Sequence, residues 1–426
     1  MRSEVKSMNK KIILCHLLVG ASFLAFPTPS LAGDTPESLV SEGQVFGELR
    51  YRYEYVDQDG PAPIADEARA STIRANLGVK TGEYRNFQAL LEAQVVANVG
   101  ADDFNDTVNR QTQFPVVADP DNEDINQAWV SWNGIKGAVI KIGRQGINLD
   151  NQRFIGTVDW RQNDQTFDSV VFNYSGLEKA NLTYGYIANV NRVFGDKHPL
   201  GDLDSTSHIL NASYGVADWL KATGYGYWLE FDRLPARSSQ TYGLRLTGKQ
   251  AIDENWAFSY EAEAARQSDR GNNTLNYDDS YYHIAPSVSG HGLTLTAGYE
   301  VLGGDGSHAF QTPLATLHKF NGWADKFLDT PVAGLEDVYI SASYKVSGVH
   351  KSVDGTTLNA AYHDFEGEES GDFGSEFDAS ITRSFELPKP LPMEKLNLMV
   401  KYADYNAEDT PYTDTQKIWF QVGVSF

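Results

Sequence analysis

Arginines and carboxylates at alternate positions are the residues of this chain whose spacing indicates chemistry. Glu48, Arg50, Arg52 and Glu54 occupy every second position of one stretch, and Arg74 follows in the next stretch. An arginine guanidinium is a planar donor that holds a carboxylate through two parallel hydrogen bonds. A carboxylate in turn accepts hydrogen bonds from sugar hydroxyls. The pattern predicts either a binding path for charged, hydroxyl-rich solutes or ion pairs that only hold the structure together.

Catalytic groupings are weakly represented in the sequence. A hydrolase needs a serine or threonine nucleophile with a histidine in hydrogen-bonding reach. None of the 9 histidines accompanies a Gly-x-Ser-x-Gly nucleophile motif. Cys15 is the only cysteine and lies in a leader that we predict to be removed, so the mature chain is expected to lack disulfides and thiolate chemistry. We predict no enzymatic activity, with an outer-membrane hydrolase as the least favoured alternative.

The charged residues belong to segments in which apolar and polar side chains alternate. At the end of the chain, Ile418, Phe420, Val422, Val424 and Phe426 share one face, and the intervening residues are mostly polar. Successive side chains of a β-strand point to opposite faces, so each segment predicts a strand with one apolar face. A charge on the lipid face of a membrane-spanning strand costs about 2–4 kcal/mol at mid-bilayer. The charged faces are therefore expected to line a lumen.

About eighteen such segments follow one another, and bacterial single-chain barrels require an even number. We predict an all-β fold, a transmembrane antiparallel up-and-down β-barrel with short periplasmic turns and long extracellular loops. Long loops are expected at Gly100–Glu123, Gln145–Thr166, Asn191–Ser205 and Leu302–Glu336. Barrels of this size enclose an aqueous channel. The segments begin near residues 45, 72, 86, 124, 138, 167, 180, 206, 219, 240, 256, 280, 292, 336, 356, 375, 395 and 416.

Both ends of the sequence indicate the outer membrane of a Gram-negative bacterium. A basic segment, an apolar stretch and the small residues around Leu31 predict a cleaved signal peptide at 1–32 and a barrel at 33–426. The alternating, aromatic C-terminus resembles the signature by which outer-membrane barrels are recognised for assembly. Expected partners are therefore membrane lipid, lipopolysaccharide and the barrel-assembly machinery. The 22 tyrosines and 21 phenylalanines fit aromatic girdles, and a net charge of -22 argues against nucleic acid.

Two long segments carry a family resemblance. The first runs from Gly143 to Gly156 (GRQGINLDNQRFIG) and continues through 160–168; the second covers Leu302–Phe327. Both resemble the alginate-export family of outer-membrane porins, whose barrel has eighteen strands and whose namesake passes a polyuronate through a positively charged constriction. The resemblance places Arg144, Arg153, Arg161 and Asp168 near the constriction, with the 302–335 loop capping or entering the barrel.

Alternatives to solute selection remain for these residues. Arg144 and Asp168 equally fit a buried pair that fixes a loop, and the 323–327 segment favours loop anchoring because aromatic residues flank a charge pair. The acidic clusters at 102–124 and 366–372 suit loop-bound Ca²⁺ or bridges to lipopolysaccharide, although a solvated loop is favoured. No other cofactor and no resident metal are expected.

The sequence therefore predicts a porin that passes polar, anionic, sugar-like solutes by passive diffusion, including alginate-type oligosaccharides and polysaccharides. The alternative from a different class is a structural or general-diffusion barrel whose loops plug the lumen. The residues expected to line the path and its constriction are Arg50, Arg52, Arg74, Arg144, Arg153, Arg161, Asp168, Arg245, Glu48 and Glu300.

Overall fold

The computed structural model describes residues 35–60, 65–368, 370–408 and 411–426. The signal peptide predicted at 1–32 lies outside these residues, so its cleavage stays a prediction. A short helix, α1 (Ser38–Ser41), precedes the first strand, and 3₁₀ turns occur at Pro235–Arg237 and Leu317–Lys319. No helix in the described part of the chain is long and apolar enough to cross a membrane.

The remaining elements are eighteen antiparallel strands that form one sheet. Their bounds are β1 (Gln44–Gln58), β2 (Glu67–Lys80), β3 (Phe87–Asp103), β4 (Asn122–Ile135), β5 (Ala138–Gln145), β6 (Thr166–Tyr174), β7 (Ala180–Asn191), β8 (Asp202–Ala217), β9 (Leu220–Leu229), β10 (Ser239–Ala251), β11 (Trp256–Asp269), β12 (Asp278–Gly290), β13 (Leu293–Leu302), β14 (Leu335–Lys345), β15 (Thr357–Glu366), β16 (Asp372–Glu386), β17 (Lys395–Asn406) and β18 (Thr415–Ser425).

The sheet closes on itself because each strand pairs with its neighbour in sequence and β1 pairs with β18. Closure removes the edge strands whose unpaired backbone groups would otherwise meet lipid. At the seam, Arg52 lies opposite Gln421 and Tyr53 opposite Phe420. Polar residues therefore meet polar residues on the inside, and rings meet rings on the outside. The predicted eighteen-stranded barrel is confirmed, although β2, β8 and β16 begin several residues earlier than expected.

The burial pattern shows which face points inward. Arg50, Arg52 and Arg74 are buried, whereas alternating residues such as Tyr51 and Val422 are exposed on the outer surface. The lumen also contains a large apolar cluster, which the sequence did not predict. Its aromatic members come from the strands and from two long loops, and they include Phe154, Tyr225, Tyr227, Tyr281, Phe310, Phe327, Phe365 and Trp419. Part of the aromatic content assigned to membrane girdles therefore packs inside the barrel.

Candidate functional site

Two long loops fold into the barrel and contact each other there. One spans residues 146–165 between β5 and β6, and the other spans residues 303–334 between β13 and β14. Ile155 forms a β-bridge with Leu314, and the Thr316 hydroxyl donates to Gln152 Oε1 at 2.7 Å. The two loops therefore form one unit across the lumen, which is the position predicted for the 302–335 loop entering the barrel.

Arg153 anchors the 146–165 loop to the wall. Its Nε donates to Glu300 Oε1 at 2.9 Å, and its Nη2 donates to Asn321 Oδ1 at 3.0 Å. The guanidinium carbon also lies 4.7 Å from the ring centre of Phe320. Burial alone would lower the pKa of Arg153, but Glu300 raises it above the ordinary value. One side chain thus connects both loops with β13.

Arg161 makes the second cross-lumen connection. It contacts Glu54 on β1 at 3.2 Å and Asp325 of the 303–334 loop at 2.9 Å. Asp119, in the loop after β3, lies 3.8 Å away. These three carboxylates raise the pKa of Arg161 against the opposing effect of burial. A single cation therefore holds three separate segments together.

The arginines of β1 and β2 are also occupied. Arg50 donates to the Gln162 side chain at 3.0 Å and to the backbone carbonyls of Asp159 and Arg161. Arg74 pairs with Glu48 at 2.7 Å and with Asp164 at 2.8 Å. Both arginines hold residues 159–164 of the 146–165 loop against the wall.

Arg52 combines a polar and an aromatic contact. Its Nη2 donates to Gln421 Oε1 at 2.7 Å, and its guanidinium carbon lies 4.1 Å from the ring centre of Trp160. Asp119 lies 3.9 Å away. On the opposite wall, Arg245 pairs with Glu261 at 2.6 Å and lies 3.8 Å from Asp150 of the 146–165 loop.

The pair formed by Arg144 and Asp168 does not anchor the inward loops. They lie on β5 and β6, where Arg144 Nε donates to Asp168 at 2.8 Å and Nη1 lies 3.1 Å from Asp124 on β4. The Arg144 side chain is 25% exposed and that of Asp168 37%. The pair is therefore a half-exposed link between neighbouring strands. The sequence analysis left open that this pair anchors a loop. In the structure, Arg153 and Arg161 make the loop-anchoring contacts instead.

A buried Asp–His–Lys chain was missed by the sequence reasoning. His318 Nδ1 lies 2.7 Å from Asp325 Oδ1, and its Nε2 lies 2.7 Å from Lys401 Nζ on β17. Because an ammonium only donates, Nε2 accepts from Lys401 and Nδ1 donates to Asp325. Burial lowers the pKa of His318 well below its ordinary value. The imidazole stacks on Trp160 with ring centres 4.1 Å apart.

The 323–327 segment makes contacts that fit loop anchoring. The backbone N–H of Ala324 donates to Glu376 at 2.7 Å. Phe327 packs on Phe365 with ring centres 4.6 Å apart. The Trp323 ring centre lies 3.6 Å from Lys401 Nζ. These contacts place the loop against β15, β16 and β17.

Neighbouring residues of the 303–334 loop line two different cavities. Lys319 and Asn321 line a cavity of about 640 Å³ whose wall carries many hydroxyl groups. His318 and Lys326 line another, of about 410 Å³, between the extracellular loops. The described residues contain no group of three or more histidine, cysteine or acidic side chains placed to hold a metal ion.

Comparisons with solved structures support the fold. OccK9 (OpdG) of Pseudomonas aeruginosa has a TM-score of 0.71 at 15% identity, over 91% of this chain and 100% of that one. OccAB3 of Acinetobacter baumannii has a TM-score of 0.70 at 13% identity, over 91% and 100%. OpdQ of P. aeruginosa has a TM-score of 0.69 at 15% identity, over 92% and 99%. No curated protein matches the chain.

A family model described as "Alginate export" matches residues 44–299, which include the first segment of the resemblance and the 146–165 loop. Together with the closed barrel, this match supports an outer-membrane channel for polar solutes. The chain belongs to the alginate-export family.

Proposed function

We propose that the chain is a passive outer-membrane channel for polar, anionic, sugar-like solutes, including alginate-type oligosaccharides and polysaccharides. The observation that carries this proposal is the crossing of a wide, charge-lined barrel by two docked loops. Barrels of 16–18 strands leave room for an aqueous path. Here buried ion pairs hold the two loops across that lumen, and cavities of about 640 and 410 Å³ remain beside them.

The fixed charges support a preference for anions inside an otherwise acidic protein. The net charge of the whole chain is -22, yet basic side chains gather where the loops meet the wall. Arg153 and Arg161 each lie between two or more segments there. Glu300, Glu54 and Asp325 balance these two arginines, whereas Arg192 and Lys326 line the cavity of about 410 Å³ without an ion-pair partner among the described residues. Positive charge of this kind attracts anions over several ångströms and is screened by salt.

Planar-bilayer recordings test this proposal directly. We expect the refolded protein to give open steps and, under a salt gradient, a reversal potential that favours anions. Oligouronates should reduce the current. Replacing Arg144 and Arg153 together with Ala should lower the preference for anions, because two cations leave the path. Unchanged ion selectivity in that variant would remove the role proposed for these two residues.

The main alternative is a barrel that its loops plug completely. It predicts no conductance from the wild-type protein and appearance of conductance when the loops are shortened. Persistent open steps in the wild-type protein would exclude it. Lipopolysaccharide and the barrel-assembly machinery remain proposed partners, and loop-bound Ca²⁺ remains a proposed ligand of the acidic 102–124 cluster.

A further inference from the structure

A row of hydroxyl groups crosses the wall of the larger lumen cavity, whose volume is about 640 Å³. The row consists of Ser259, Ser287, Thr296 and Ser341, one residue from each of the strands β11 to β14. In the strand register Ser259 lies opposite Ser287, Ser287 opposite Thr296, and Thr296 opposite Ser341. Neighbouring strands are about 4.8 Å apart. The four side chains, all of which line the cavity, therefore follow one another around the barrel as one hydroxyl row.

Two hydroxyls of this row remain available to a ligand. Ser287 Oγ and Thr296 Oγ1 lie 2.8 Å apart and form a hydrogen bond with each other. The hydroxyls of Ser259 and Ser341 have no hydrogen-bond partner within the described residues, and both side chains are only half-buried. A hydroxyl donates one hydrogen bond and accepts others, which is also the capacity of each hydroxyl group of a sugar.

The carboxylates of this cavity are already bound within the protein. Each of the three that line it has a basic partner, at 2.6, 2.9 and 2.9 Å, in the pairs Glu261–Arg245, Glu300–Arg153 and Asp337–His363. Lys319 adds one exposed ammonium group to the lining. Breaking a buried pair costs more than contact with a passing ion returns. The hydroxyl row is therefore the part of this wall that is free to recognise a ligand without giving up an ion pair.

Rings of the 303–334 loop form another part of the lining. Phe320 and Trp323 both line the cavity. Cations hold the two rings in place, with Arg153 4.7 Å from the ring centre of Phe320 and Lys401 3.6 Å from that of Trp323. Sites for small molecules combine such apolar surface with a few placed polar groups. A sugar ring matches both kinds of surface, because its C–H bonds form apolar patches between its hydroxyl groups.

A buried imidazole at the same wall keeps unused hydrogen-bonding capacity. The His283 side chain lines the cavity and is 9% exposed. Its Nε2 lies 3.0 Å from the Tyr339 hydroxyl. Its Nδ1, 3.5 Å from Glu261 Oε1, has no hydrogen-bond partner within the described residues. An unpartnered nitrogen here favours a ligand that carries hydroxyl groups over one that is purely apolar.

We propose that the larger cavity is a binding subsite for an uncharged sugar ring, whose hydroxyl groups bond to the hydroxyl row and whose C–H surface packs against Phe320 and Trp323. The volume of about 640 Å³ lies within the range of about 300–1,000 Å³ that is typical of small-molecule sites. The inference goes beyond the proposed anion channel, because this ligand needs no carboxylate.

Equilibrium binding in a detergent without sugar headgroups tests the inference. The full mature chain is titrated with glucose, galactose, glucuronate and cyclohexanol, and binding is followed by saturation-transfer NMR of the added compound. We expect at least one of the two hexoses to bind saturably and at least about fivefold tighter than cyclohexanol. Glucuronate should bind at most about twofold tighter than the better hexose, because the wall offers hydroxyl groups and its ion pairs are already formed.

Removal of the available hydroxyls should weaken hexose binding without changing any charge. Ser259→Ala and Ser341→Ala should each lower the affinity about threefold or more, because each removes one hydrogen bond to the ligand. Ser213→Ala is the matched control, because Ser213 is also half-buried and lines a different cavity. Its affinity for the hexose should stay within about 1.5-fold of the wild type. Electrophoretic migration before and after heating checks that each variant has folded into the barrel.

Five outcomes would each overturn the inference. They are absence of hexose binding, a preference for glucuronate greater than about twofold, binding of cyclohexanol within about fivefold of the better hexose, unchanged affinity in both Ser259→Ala and Ser341→Ala, and equal weakening by Ser213→Ala. Anion-selective conductance without hexose binding would refute this inference alone. Hexose binding by a protein that gives no open steps would refute the channel proposal alone.

Discussion

Removing Arg153 is the sharpest test of how the loops are held. Its Nε lies 2.9 Å from Glu300 Oε1, and the two side chains are only 2% and 4% exposed. At that distance the attraction is about 6 kcal/mol for an effective dielectric constant near 20. Desolvation of both ions offsets much of this attraction. The measurable effect of Arg153→Met is the cost of leaving Glu300 without its cation, about 3–5 kcal/mol.

Such a loss would shift the balance between docked and released loop by roughly a hundredfold to several thousandfold. We expect Arg153→Met to show frequent transitions to a larger conductance level in planar bilayers. Trypsin should also cleave faster after Arg161, which is only 10% exposed while the loop is docked. Glu300→Gln should behave similarly, because it leaves Arg153 buried without its anion.

The double variant Arg153→Met with Glu300→Gln decides whether the pair itself is responsible. No uncompensated charge remains there, so we expect it to recover at least about 1.5 kcal/mol relative to the sum of the two single losses. Cleavage rates within about twofold of the wild type in Arg153→Met would refute the reasoning. Purely additive effects in the double variant would refute the assignment to this pair.

The other predictions concern the loop backbone, its protonation and the outer face of the barrel. Gly322→Ala should weaken loop docking by about 1–3 kcal/mol, because Gly322 has φ +82° and an added Cβ would lie 2.3 Å from Glu376 Oε2; faster tryptic cleavage checks this. Because the docked loop holds His318 neutral while a released His318 titrates near 6.5, docking should weaken as pH falls below that value, by up to about 1.4 kcal/mol per pH unit. Open events at pH 5 should then exceed those at pH 8, and His318→Gln should abolish the difference. Ile340→Arg should lower the free energy of unfolding in lipid vesicles by about 2–4 kcal/mol, whereas Ser341→Arg should change it little, because Ile340 is exposed on the outside and Ser341 lines the larger cavity.

The barrel could be predicted from sequence because its signal is local. Each strand shows its own alternation, and charged residues such as Arg50 and Glu92 mark the inward face without knowledge of any neighbour. The expected starts were too late at the extracellular ends of β2, β8 and β16, since each of these strands extends further toward the loop than its clearest alternation. The antiparallel order follows because short turns join successive strands.

The interior arrangement could not be predicted in the same way. His318 and Lys401 are 83 positions apart, and nothing in the alternation of β17 indicates that an imidazole will meet the lysine. Tyr281 and Trp419 face the lumen at positions where the pattern leads one to expect polar residues. Their neighbours are the inward loops, and a period of two residues carries no information about where a loop folds.

The contacts of the basic side chains divide them into two groups, those that anchor the loops and those that remain available to a solute. An arginine whose donors are all directed at protein oxygens, as in Arg50, gains little by turning toward a passing anion. Breaking a buried pair such as that of Arg153 would cost more than a transient contact returns. Direct contacts with a passing anion should therefore come from basic groups outside these pairs, whereas Arg153 acts on the anion only through the net charge of the path. Arg192 and Lys326 meet that condition, because neither side chain has an ion-pair partner among the described residues and each donates to a neutral oxygen instead.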